Sequence, residues 1–66
     1  MARRLNGVGT ITDVWNAKFN EPYILLMMPD GGEIEFPYGD SHEREYQLQN
    51  ARDEVIHQGF AIDDRT

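Results

Sequence analysis

Cysteine is absent from this 66-residue chain, so neither a disulfide nor a thiolate metal site can support the fold. A small secreted domain without cysteine would be unusual, which favours a cytoplasmic protein. No apolar run approaches the roughly 18 residues of a membrane span. Met1-Ala2-Arg3-Arg4 is basic, yet no signal-peptide apolar segment follows it. Cations are scarce as well: 6 Lys and Arg stand against 12 Asp and Glu, a formal net charge of −6. Residues 1–18 carry Arg3, Arg4 and Lys18 against Asp13, whereas residues 19–64 carry eleven acids against Arg44 and Arg52. A body this acidic repels phosphate backbones, which argues against direct nucleic-acid binding and for engagement of a basic protein surface. Acidity that merely keeps a small protein soluble is the simpler reading. The length fits a single domain over 1–66, and such a chain buries only about 60% of the surface it exposes when unfolded.

What the chain does contain is a clear hairpin between Pro22 and Tyr38. Tyr23-Ile24-Leu25-Leu26-Met27-Met28 leads into Pro29-Asp30-Gly31-Gly32, and Glu33-Ile34-Glu35-Phe36-Pro37-Tyr38 returns. Pro29 presets φ for a turn, Asp30 can accept from the backbone two residues on, and the glycines tolerate positive φ. In the second arm Ile34 and Phe36 face one way and Glu33 and Glu35 the other. The first arm is apolar on both sides, a pattern that calls for cover on both faces. That cover is either this chain's own loops and tail, or another molecule on a face carrying the adaptable Met27 or Met28.

Gly7 to Trp15 reads as the first strand, with Val8, Thr10, Thr12 and Val14 on one side and Gly9, Ile11, Asp13 and Trp15 on the other. Its Gly-x-Gly pair lacks the third glycine, the lysine and the helix start of a phosphate loop. Asn16 to Glu21 is a connecting loop. Trp15 and Phe19 are expected to cap one end of the core; the alternative is an exposed aromatic anchor.

A break at Pro37-Tyr38-Gly39 precedes a helix from Ser41 to His57 or Gln58, capped by Asp40 with Glu43 at capping-box spacing and ended by Gly59. Leu48, Ala51 and Val55 form a narrow apolar stripe. Opposite it lie Tyr46, Asn50, Asp53 and His57, flanked by Glu43 and Glu54. An aromatic in an acidic, solvated row is an interface anchor unless a loop or tail covers it. Phe60-Ala61-Ile62 reads as a short fourth strand or a tail tucked under the helix, and Asp63 to Thr66 as a polar end. Met1 to Asn6 reads as a mobile start.

Chemistry is harder to find. His42 with Asp40, or His57 with Asp53, falls short of the converging ligands a metal needs. Ser41 is better used as a cap than as a nucleophile. Glu33 and Glu35 share one strand face, roughly 7 Å apart, but a chain this short rarely encloses a cleft. No catalytic, cofactor-binding or metal-binding residue is assigned, and no enzymatic activity is expected.

The fold class expected is α+β: a three- to four-stranded antiparallel sheet, in the order β-β-β-α with a short final β, and one helix packed on one face. The function expected is that of a small acidic effector docking on a basic surface of a larger, nucleic-acid-handling protein and inhibiting or modulating it. Its contacts would be Glu33, Glu35, Glu43, Tyr46, Asn50, Asp53, Glu54 and His57. Compact inhibitors carried by phages and mobile elements share this size and charge, an analogy without a motif. A second reading starts from Gly7-Val8-Gly9-Thr10-Ile11, the apolar strand and Asp30-Gly31-Gly32-Glu33, which resemble the opening of SH3-like barrels over about half the chain. That resemblance implies an adaptor or a subunit of a larger assembly, with Trp15, Phe19 and Tyr23 lining a groove; the helix after Asp40 departs from it. A homodimer through the Tyr23–Met28 strand face is a further alternative.

Overall fold

The computed structural model describes residues 7–66, so the reading of Met1 to Asn6 lies outside the described residues. The elements follow the order β1 (Val8–Asn16), β2 (Glu21–Met27), β3 (Glu33–Pro37), α1 (Ser41–Gln58) and β4 (Ala61–Asp64). The strands form one four-stranded sheet ordered β3-β2-β1-β4. The architecture is α+β, one sheet with one helix against one of its faces.

Both hairpin turns follow from local chemistry. Between β2 and β3, the Gly31 amide donates to the Met28 carbonyl (3.0 Å), the Met28 amide donates to the Gly32 carbonyl (2.8 Å), and the Gly32 amide donates to Asp30 Oδ1 (2.8 Å). Gly31 sits at φ 98°, the left-handed conformation that ends a three-residue hairpin loop with a glycine bulge. Between β1 and β2, Asn16 Oδ1 accepts from the amides of Lys18 (3.0 Å) and Phe19 (3.3 Å), and Asn20 takes φ 53°. Asparagine is among the few non-glycine residues that visit this region readily.

The helix is capped at both ends as its sequence implies. Asp40 Oδ1 accepts from the Glu43 amide (2.8 Å), while Glu43 Oε1 accepts from the Gly39 amide (2.7 Å), one residue before the usual capping-box partner. At the other end Gly59 takes φ 87°, its amide donates to the Ile56 carbonyl, and the Phe60 amide donates to Val55, a Schellman stop.

One relation differs from expectation. β4 pairs parallel to β1, with Val8 opposite Ala61 and Gly9 opposite Ile62, so the sheet is mixed rather than wholly antiparallel. The helix has 18 residues, a length of about 27 Å, and it carries the chain back to the end of the sheet where β3 began. The next strand must then run in the direction of β3. Because β3 and β1 are both antiparallel to β2, that direction is parallel to β1.

The core lies between the helix and one sheet face: Ile11, Ile24 and Leu26 from the strands, Leu48, Ala51 and Val55 from the helix, with Met28, Phe36, Tyr38, Phe60 and Ile62 packed around them. Gly9 belongs to this face too, and a Cβ there would stand 2.6 Å from Val55 Cγ2. The helix seats directly on the bare backbone. At the core's edge Tyr38 Oη donates to Asp13 Oδ1 (2.6 Å) and Arg44 Nε donates to Asp13 Oδ2 (2.8 Å), which ties β1 to the segment before the helix and to the helix itself. Burial, and then the bond to Asp13, raises the Tyr38 phenol above its ordinary value.

Candidate docking surface

Among the described residues, the second face of the sheet carries no helix. Alternation and register place Tyr23, Leu25 and Met27 of β2 along its middle, Thr10, Thr12 and Val14 of β1 beside them, and Glu33, Glu35 and Pro37 of β3 at one edge. Met27 is 42% exposed, and Tyr23 and Leu25 are half-buried although Ile24 and Leu26 are fully buried on the other side. The expectation that Trp15 and Phe19 cap the core is not met, because they are 58% and 65% exposed. Phe60 packs against the helix-side core instead of the second face. The described residues therefore leave the apolar side of β2 open to solvent.

At one end of this face the β1–β2 turn forms a groove. Asn16, Phe19, Glu21, Tyr23, Glu35 and Pro37 line about 260 Å³. Phe19 and Tyr23 are among the residues that the SH3-like resemblance would place in a groove, while Trp15 is not among this one's lining. Glu21, Asn16 and Pro37 carry no motif of their own and join the groove only through the pairings Asn16 with Glu21 and Tyr23 with Pro37. The sheet does not close into a barrel: β3 and β4 stand at opposite edges of an open sheet, unlike the SH3-like architecture that the first half of the chain resembles.

The residues expected to meet a partner fall on two separate surfaces. Glu33 and Glu35 lie on the open sheet face, since the residue they alternate with, Phe36, packs toward the core. Tyr46 is 69% exposed on the far side of the helix, with Asp53 and His57 exposed along the same row. Asn50 is partly buried and donates to Gln47 Oε1 (2.9 Å); Asp53 accepts from Gln49 Nε2 and Glu54 from Gln58 Nε2, both at 2.9 Å. Glu43 is engaged in the helix cap. Helix and open face are on opposite sides of the molecule, so these eight residues do not form one patch.

The charge distribution sharpens the contrast. Arg44 pairs with Asp13, Arg52 with Asp64 and Arg65 with Asp63, so each of these cations already has a carboxylate partner within the chain. Glu21, Glu33 and Glu35 have no such partner among the described residues. Asp64 is held at about 2, below its ordinary 3.8, first by the Thr66 hydroxyl (2.6 Å) and then by the Arg52 guanidinium. A carboxyl lowered in the folded state adds stability that is complete above the ordinary value and disappears as pH falls toward the lowered one. Asp64→Asn should therefore cost about 1 kcal/mol or less at neutral pH, given the partial solvent screening of the pair. The difference from wild type should shrink between 3.8 and about 2 in acid titrations followed by urea unfolding. A difference that persists unchanged at the acid end would show that Asp64 acts through packing.

No group of three or more His, Asp or Glu among the described residues could hold a metal, and none of their helices is long and apolar enough to cross a membrane. Among the described residues, fold and surface together define a two-layer α+β domain with no helix on one face of its sheet. Comparison with protein-family models, characterised proteins and solved structures finds no match to this chain.

Proposed function

We propose that this protein is a small acidic effector that docks on a basic surface of a larger, nucleic-acid-handling protein and inhibits or modulates it, with the open sheet face as its docking side. The observation that carries this reading is the stripe Tyr23–Leu25–Met27, over which the described residues pack no helix or strand, bordered by Glu21, Glu33 and Glu35. An apolar centre excludes water and supplies affinity, while the carboxylates along its β2–β3 side steer and orient the partner. Acid at the rim favours a partner with lysine or arginine around an apolar patch. It disfavours a second copy of this chain, which would bring the same carboxylates together.

A second reading rests on Tyr46, whose exposure among acids on the helix suits an interface anchor. One experiment separates the two. Immobilised protein is presented with lysate of the organism that encodes it, and the retained protein is identified and eluted in a salt series. Wild type is expected to retain a basic nucleic-acid-handling protein and release it as salt rises. Leu25→Thr with Met27→Thr, checked for folding by circular dichroism, should weaken retention by about tenfold or more, and Tyr46→Ala should not. Loss with Tyr46→Ala alone would move the docking side to the helix. A salt-insensitive dimer in light scattering, with no retained partner, would replace the effector reading by a homodimer.

A further inference from the structure

The groove at the Phe19 end of the open face has a composition that the apolar stripe does not explain. Two aromatic residues, Phe19 and Tyr23, and two carboxylates, Glu21 and Glu35, converge on about 260 Å³, with Pro37 as a further apolar wall. That volume is below the usual range for a small-molecule pocket and suits a single long side chain. Aromatic faces attract cations through their quadrupole, and carboxylates supply the countercharge. Neither Glu21 nor Glu35 is paired with a cation among the described residues, whereas Asp13, Asp63 and Asp64 each are. The Phe19 ring already draws one cation: Lys18 Nζ stands 5.7 Å from its centroid. The turn that presents Phe19 is held by Asn16, whose side chain accepts from two turn amides, so the groove wall is set by the fold rather than by the guest.

We infer that this groove is a receptor for one arginine side chain of a protein partner, gripped between the aromatic residues Phe19 and Tyr23 and the carboxylates Glu21 and Glu35. Arginine fits better than lysine because its planar guanidinium stacks on rings and offers donors to two carboxylates at once, while the ammonium is a compact and strongly hydrated charge. The inference rests on the open face being the docking side, and it names the group that the partner inserts there.

The test is a titration of the ¹⁵N-labelled protein with N-acetyl-arginine N-methylamide, followed by amide chemical shifts. The arginine probe should shift Phe19, Glu21, Tyr23 and Glu35 saturably in the millimolar range. The citrulline counterpart, neutral and nearly the same shape, should not. Glu21→Gln with Glu35→Gln should weaken binding about tenfold, since two charge contacts are lost. Asp53→Asn with Glu54→Gln removes the same charge from the helix and should change it less than about twofold. Equal shifts with citrulline, or equal weakening by the helix pair, would overturn the site. Tighter binding of the lysine counterpart would overturn the choice of arginine. The outcome is separable from the docking proposal: if the Leu25 and Met27 variants lose the partner while the Glu21 and Glu35 variants keep it, the groove inference fails and the docking face stands. If the groove binds the arginine probe but the partner is lost only with Tyr46→Ala, the docking face fails and the groove's role in holding the partner's arginine fails with it.

Discussion

Leu26→Ala should destabilise this domain by about 2–5 kcal/mol, whereas Leu25→Ala, one residue away, should cost about 1 kcal/mol. Leu26 is wholly buried between Ile11 and the helix stripe, so truncation removes apolar burial and leaves a cavity in a core of few large side chains. Leu25 points to the open face, where solvent already reaches its surroundings and no cavity is created. A domain of this length has a total stability of only about 3–10 kcal/mol, so the Leu26 variant loses much or all of it. Urea unfolding followed by circular dichroism measures both; equal midpoints for the two variants would mean that the faces of β2 are equally covered. That second outcome would also remove the basis of the docking proposal.

Gly9→Ala should cost about 1–3 kcal/mol, although alanine is ordinarily a better strand residue than glycine. The added Cβ would meet Val55 Cγ2 at 2.6 Å, Val55 Cγ1 at 3.0 Å and Leu26 Cδ1 at 3.4 Å. Gly9 has no left-handed backbone to protect, so the cost is steric and arises chiefly from the two methyls of Val55. The Val55→Ala change makes room for the new methyl. The double variant should therefore be more stable than the sum of the single effects predicts, by about 1 kcal/mol. Additive effects would show that Gly9 is required for a reason other than the seat of the helix. Val55 stands at the C-terminal end of the helix stripe, so the expected penalty includes a tilt of that end away from β1 and β4.

Much of this architecture is legible in single stretches of chain. Asp40 with Glu43, and Gly59 after Gln58, mark both ends of the helix because caps satisfy backbone groups within a few residues. The Pro29-Asp30-Gly31-Gly32 loop is equally local, since each of its hydrogen bonds closes within five residues. Leu48, Ala51 and Val55 are the buried helix residues, and helical period suffices to select them. Trp15 and Phe19 are less legible. Large aromatics near a core look like its lid, but the turn formed by Asn16 and Asn20 directs Phe19 over the open face, and Trp15 lies on the helix side of the strand yet stays exposed. Glu21 and Pro37 are the groove residues that no pattern singles out, because their chemistry comes from neighbours across the sheet.

The amphipathic alternation of Glu33 to Phe36 and the two-sided apolar run of Tyr23 to Met28 settle, without any tertiary information, that this sheet has one face demanding a helix and another demanding something more. Period two is a property of each strand alone. Which edge β4 joins, and in which direction, was decided by the length of the helix and by the bare backbone at Gly9 on which Val55 rests. The separation of Glu33 and Glu35 from Tyr46, and the convergence of Glu21 and Glu35 with Phe19 and Tyr23, were likewise decided only by packing. Spacing along the chain determines which residues share an element, but only the stacking of elements determines which residues share a surface.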